Sequence, residues 1–496
     1  MSTNDPRFPD FQCGSYRSQL GRWRYLDAVY RGRDAWTERS PDGRIQPNDL
    51  TRFYLPQAPR ERAENYSARV CGTAFLDKYA QAIKDFVGLI FSNGVRFIDV
   101  PDQVLECLGE PKTFLMGRAI ASMRRGHSLV LVDAPVAPGR SLLDAATVRP
   151  RCVPIDNYQV LNWRYTVVGD RKVLTQATIK ESSIVIDGAF GEREDVTYLV
   201  LTPGRYDRFR IIERGSAMLG VSEKRELQYL PERSGNMGYW SMGQFVPLGF
   251  VPLFGLRGGQ DEDDNPDPLV STAPLMSLAD LNVVHYQVSS DHLNKIKKTC
   301  RPVYVRVGAM GDEDELVISS DTTVDVPPGG GFMIVEPQAN SIVQSRAELE
   351  AIESLMDFLG ASFMVKPSDR QAAMVSLIQV SKVESGLTLF ASSFVDGVNQ
   401  ILMSIGLYLG LAPQQCGRVE LETKFFQQAG VDGNLLTAYT GFFESLTRMP
   451  SENAAILLRL LEARGYLSDR TTADDIMKNL STLSNQDENK TSATTA

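Results

Sequence analysis

The chain has 496 residues, 43% of them hydrophobic and 23% charged, with 52 basic against 61 acidic side chains and a formal net charge of −9. That length calls for two or more packed units, and the composition is that of a globular protein, not a disordered or fibrous one. An acidic total argues against a tight, static grip on nucleic acid, which needs a basic surface, but does not exclude a surface that DNA passes without sticking.

Six cysteines (Cys13, Cys71, Cys107, Cys152, Cys300, Cys416) stand singly with no C-x-x-C pair. That is neither a disulfide framework nor a zinc site, and it suits a reducing compartment. The opening MSTNDPRF has no apolar signal-peptide region. The most apolar runs, FVPLGFVPLFGL (245–256) and ILMSIGLYLGLA (401–412), are far shorter than a bilayer span. A soluble, cytoplasmic protein with no membrane partner is expected.

In chain order, the first fifty residues mix Arg, Asp, Pro and Gly with aromatics (Trp23, Tyr25, Tyr30, Trp36) and read as a partly ordered arm. In ERAENYSARVCGTAFLDKYAQAIKDFVGLIFSNG, apolar residues recur at three- and four-residue steps until Asn93-Gly94, which predicts helix. A second helix is predicted over 114–125. Residues 127–255 change character: HSLVLVD, YQVLNWR, KVLTQATIK, SSIVIDG, DVTYLVL, RFRIIER and RELQYL are short, β-branched and bounded by turn residues. The acidic loop DEDDNPDP (261–268) closes this block.

A helix of roughly 27 residues follows, about 40 Å long. Pro274 suits its first turn, Lys295, Lys297 and Lys298 its last, and Pro302 forbids its continuation. PVYVRVG, DELVISS and FMIVEP read as strands, with PPGGG (327–331) as a turn. Another helix is predicted over 342–364, with Leu349, Ile352, Leu355, Met356, Leu359 and Phe363 inward. Residues 361–374 then read ASFMVKPSDRQAAM, where Pro367 removes a backbone donor and pushes Lys366 out of helical geometry. Beyond this short charged loop runs a helix of roughly 36 residues, about 54 Å long, with Leu387, Phe390, Phe394, Val398, Ile401, Ile405 and Leu409 on one stripe. The C-terminal part reads as helical and ends in a polar tail. The predicted fold class is α+β, mainly helical.

Catalytic signatures are missing. No Gly-Lys dipeptide exists for a P-loop, and neither H-E-x-x-H nor G-x-S-x-G occurs. His285 and His292, two turns apart on one helix, are too distant to share a metal ion and are expected at a packing seam. DEDDNPD (261–267) and GDEDE (311–315) have the carboxylates of a cation loop without EF-hand spacing, so solvated loops are expected. RWRYLDAVYRGR (22–33) suits a protein contact better than nucleic-acid stacking in so acidic a chain. No catalytic residue, cofactor or bound metal is assigned.

PLMSLADLNVVHYQVSSDHLNKIKKTCRPVYVRVG resembles the pattern PL..LA..N...Y....D........P....G of tailed-bacteriophage portal proteins. YLPQAPRERAENYSARVCGTAFLDKYAQAIKDFVGLIF resembles the opening helices of one portal subfamily. MDFLGASFM followed by KVESGLTLFASSFVDGVNQILMSIGLYLG resembles its closing helical core. The order of parts is similar too, over about residues 50–411.

The resemblance implies a homo-oligomeric ring, usually of twelve copies, at one capsid vertex of the virion, assembled in the host cytoplasm. Its function would be a non-enzymatic DNA conduit for genome packaging, retention and ejection. Its partners would be double-stranded DNA, the terminase packaging motor, the head-tail adaptor and the major capsid protein. The implied parts are an N-terminal arm (1–50), wing (51–270), stem helix (271–300), clip (301–340), second stem helix (341–363), tunnel loop (364–373), long wing helix (374–411), helical crown (412–482) and tail (483–496). Lys366, Ser368, Asp369 and Arg370 of the tunnel loop would face DNA. A ring of Lys366 and Arg370 makes a positive belt in an acidic tube, holding phosphates briefly. Asp312, Glu313, Asp314, Glu315, Pro327 and Pro328 of the clip would meet the motor and adaptor. The alternatives are a metal-dependent phage nuclease built on the acidic clusters, or another minor head or adaptor protein.

Overall fold

The structure is a computed structural model, and it describes residues 4–42, 44–92, 94–133, 149–169, 171–188, 190–214, 224–241, 244–259, 267, 269–299, 303–307, 331–335, 340–360 and 373–421. The chain divides into two units. One comprises Met1–Arg17, Lys84–Ala273 and Ser362–Ala496, the other Ser18–Ile83 and Pro274–Ala361. Among the described residues, no helix is long and apolar enough to cross a membrane.

The first unit contains an antiparallel meander of Val160–Val168, Arg171–Asp187, Gly191–Thr202, Arg205–Arg214 and Lys224–Tyr229, each strand paired with the next. Gly235–Asn236 adds a short rung beside Arg205–Arg214. KVLTQATIK and SSIVIDG, expected as two strands, are one strand of 17 residues. Lys180, Glu181 and Ser182 between them include no Gly, Pro or Asn to turn the chain, so the ladder runs on.

A second sheet has His127–Asp133 at its centre, between Leu253–Arg257 and Arg151–Ile155. Six of the seven central residues, HSLVLV, are buried, as a near-continuous apolar run predicts when both faces are covered. The strand follows helix Pro111–Arg125 through Gly126, whose φ of 93° is left-handed. A Cβ there would lie 2.2 Å from the Ser271 carbonyl oxygen, so only glycine fits.

Helix Ala373–Tyr408 packs against Leu253–Arg257, with Gly397 letting Leu256 approach closely. Leu387, Phe390, Phe394, Val398, Ile401 and Ile405 are buried along the expected stripe, and Leu409 lies just past the helix end. Residues 412–421 do not continue as helix. A short 3-10 turn, Pro413–Gln415, leads into strand Arg418–Leu421, which pairs with Val95–Ile98. Pro413 and the left-handed Gly417 account for the change. Residues 422–496, the remainder of the expected crown and tail, lie outside the described residues.

The second unit takes in most of helix Gly14–Arg31 and then a strand pair, Thr37–Arg39 with Ile45–Pro47. The expected partly ordered arm is instead built into a core. Trp23 and Trp36 are buried, and Trp36 packs with Ala28, Leu55, Tyr66, Val70 and Tyr286. Its bulk supplies apolar area that the short, polar surroundings lack. The helical run expected over 61–94 is two helices, Ala63–Gly72 and Lys78–Ile90, the first ending at Thr73, whose backbone is extended.

Candidate functional site

The second unit also holds two long helices, Met276–Thr299 and Asn340–Leu359, of 24 and 20 residues. At 1.5 Å per residue they are about 36 and 30 Å long. They run antiparallel along a seam fixed by two histidines. His285 Nε2 lies 3.0 Å from Glu353 Oε1, and His292 Nδ1 lies 2.7 Å from Ser345 Oγ. Both histidines therefore sit on the packing seam expected of them.

Beyond the helices, Val303–Val307 pairs antiparallel with Gly331–Val335. The residue numbers of every strand pair, from Val303–Val335 to Val307–Gly331, add to 638. The same total holds for His285–Glu353, and His292–Ser345 gives 637. The helix pair and the strand pair thus share one sequence offset, on either side of residues 300–302 and 336–339, which lie outside the described residues.

The first long helix is held along a second face by the residues before position 84. Trp36 stacks on Tyr54 at 4.4 Å and meets Phe75 edge-on at 5.0 Å, and both Trp36 and Phe75 touch Tyr286. Asn282 is fully buried because both ends of its amide are used: Oδ1 accepts from the Tyr79 N–H and Nδ2 donates to the Leu76 carbonyl. Those bonds fix the entry to helix Lys78–Ile90. Arg69 donates to both oxygens of Glu61, to the Pro56 carbonyl and to Ser290 Oγ. The Glu61 carboxylate raises the guanidinium pKa above its already high ordinary value. Tyr25 donates to Asp280 at 2.8 Å, and burial with that carboxylate beside it pushes the phenol well above its usual range. Lys78 Nζ reaches Asp357 on the second helix at 2.6 Å.

The arrangement is a pair of long antiparallel helices braced along one face by the residues before position 84, with an antiparallel strand pair between them in the sequence. Among the described residues, no group of three or more His, Cys, Asp or Glu is placed to hold a metal ion. Val284, Val343 and Leu355 remain exposed on the rod; of the residues expected to face inward, Met356 is buried and Leu355 is turned out.

Lys366, Ser368, Asp369 and Arg370 lie outside the described residues, as do Asp312, Glu313, Asp314, Glu315, Pro327 and Pro328. The structure describes the ends of those two segments: Gly360 and Ala373 around the first, Val307 and Gly331 around the second. The acidic run 261–267 is described only at Asp267, which accepts from the Trp163 indole. Anchors that the pattern reading missed are Asn282, Arg69 and Tyr286. The available signal was a polar Asn in line with the apolar stripe of a long helix.

Residues 274–408 match a family model described as a domain of unknown function, DUF4055. The matched stretch begins just before the first long helix and ends at Tyr408. No curated protein matches the chain. Three solved structures resemble it at 11% identity. "Virion of native gene transfer agent (GTA) particle" has a TM-score of 0.36 and covers 81% of this chain and 95% of that one. "Neck of native GTA particle computed with C12 symmetry" has 0.34, with 78% and 86% covered. "Neck of empty GTA particle computed with C6 symmetry" has 0.35, with 84% and 93% covered. Likenesses this loose do not carry the role of the chain.

Proposed function

We propose that this chain is a portal-type subunit, one copy of a ring that conducts DNA through a capsid vertex and has no catalytic role of its own. The observation that carries the reading is the antiparallel pair of long helices followed by an antiparallel strand pair with the same sequence offset, in the stretch whose residues resemble the portal pattern. The helices are then the stem and the strand pair is the base of the clip. Exposed apolar residues along the rod suit contact with neighbouring rods in a ring.

Lys366, Ser368, Asp369 and Arg370 then belong to a tunnel loop that touches DNA. Asp312, Glu313, Asp314, Glu315, Pro327 and Pro328 belong to the clip surface offered to the packaging motor and the tail adaptor. Light scattering followed by negative-stain electron microscopy tests the class: rings with a central hole support it, and a monomer at every concentration, with or without capsid proteins, would sink it. Rings of Lys366→Ala/Arg370→Ala are expected to assemble normally yet package or retain less DNA. Unchanged packaging and retention would remove the loop assignment and leave the ring.

A further inference from the structure

The meander of the first unit is staggered. Arg171–Asp187 pairs with Val160–Val168 through residues 171–179 and with Gly191–Thr202 through residues 177–187. Among the described residues, only 177–179 have a strand on each side. At either end of this 17-residue strand the sheet is a two-stranded ribbon, and both ribbons carry exposed apolar side chains.

At the first ribbon, Tyr165 and Val167 are 42% and 58% exposed. Lys172 stands opposite Val167, its Nζ 5.1 Å from the Tyr165 ring. Residues 164–172 include three basic side chains and one acidic. At the other ribbon, Ile184 and Ile186 are 72% and 81% exposed, and Phe190 at the turn is fully exposed. Glu194 stands opposite Ile184 and Glu192 opposite Ile186, so each isoleucine shares a face with a carboxylate. Residues 184–194 include three acidic side chains and one basic. The two ends are therefore both apolar and opposite in charge.

Two different, complementary patches on one molecule are what a head-to-tail contact between identical copies requires; a two-fold contact would use one self-complementary patch. Exposed apolar area rimmed by charge is also what marks a protein–protein surface. We infer that the basic ribbon of one copy seats on the acidic ribbon of the next. The inference rests on the ring reading and adds to it the surface that sets the order of subunits.

The test uses the full-length chain in three forms: the parent, Arg171→Glu/Lys172→Glu, and Glu192→Lys/Glu194→Lys. Far-ultraviolet circular dichroism and melting confirm that each is folded, and electron microscopy with light scattering reads ring yield. Each variant alone presents two ribbons of like charge, and ring yield is expected to fall about ten-fold or more. An equimolar mixture is expected to regain it, because each altered ribbon then faces one of opposite charge in an alternating ring. Ile184→Ser/Ile186→Ser is expected to lose rings without rescue by mixing.

If either charge variant assembles like the parent, or the mixture stays unassembled, the ribbons are not the contact; the parent's own rings still stand. Capture of another virion protein by the ribbons in variants that ring normally would give them a different occupant. A parent that forms no rings overturns both this inference and the reading beneath it.

Discussion

In the sheet unit, strand positions follow from backbone ladders and from apolar runs that repeat along the chain. The long-helix unit instead depends on a handful of side chains from distant parts of the sequence: Trp36, Arg69, Asn282 and Tyr286 each join the first long helix to residues about 200 or more positions away, or lie at that junction. A ladder distributes its hydrogen bonds over many residues, and losing one rung costs little. A junction made by single side chains concentrates the cost.

The largest expected effect follows from that contrast. Trp36→Ala removes the ring at the centre of the aromatic cluster and should cost about 3–5 kcal/mol in urea unfolding. A loss below about 1 kcal/mol would break the comparison, since the cluster would then not be the main brace. Next comes Arg69→Ala, which leaves Glu61 largely buried without its partner, side chains that are 8% and 11% exposed in the pair. A loss of about 3 kcal/mol is expected, with most of it restored when Glu61→Leu is added, because the penalty is an unpaired charge and not a missing contact.

The sheet unit offers a sharper, pH-dependent test. His127 is buried beside Asn157, and burial lowers its pKa from 6.5 to about 3. The unfolded chain binds the proton more readily, so the contribution is intact above pH 6.5 and is lost as pH falls from there toward 3. At pH 5 the loss is about 2 kcal/mol, from 1.36 kcal/mol per pKa unit. Melting curves at pH 7 and 5 should show this for the parent and not for His127→Gln; an equal slope in both would place the acid sensitivity elsewhere. The smallest effect is expected at the Arg346–Glu350 pair on the outside of the second long helix, where both side chains are more than 60% exposed. Arg346→Ala should change stability by about 0.3 kcal/mol or less, and by nothing measurable in high salt.

Helices with a strong apolar stripe were legible almost to the residue. The run from Leu387 to Ile405 is buried as its spacing requires, and the first long helix ends where lysines and Pro302 predict. Segments whose fate depends on partners were not. Residues 14–54 look polar and irregular in isolation, and their core forms only when Trp36 packs with Tyr66, Val70 and, far along the chain, Tyr286. Leu355 and Met356 are adjacent and both apolar, so the apolar spacing placed both inward, where the structure buries only Met356. Within the expected crown, Arg418–Leu421 forms a strand because Val95–Ile98 offers an open edge.

By itself, then, the sequence determined the helices that carry a long apolar stripe, as from Leu387 to Ile405, because caps, prolines and apolar spacing act within a few residues. The tertiary structure alone decided which polar residues could be buried. Asn282 and Arg69 are tolerated inside only because backbone carbonyls, an N–H and a carboxylate from elsewhere meet every group they bring.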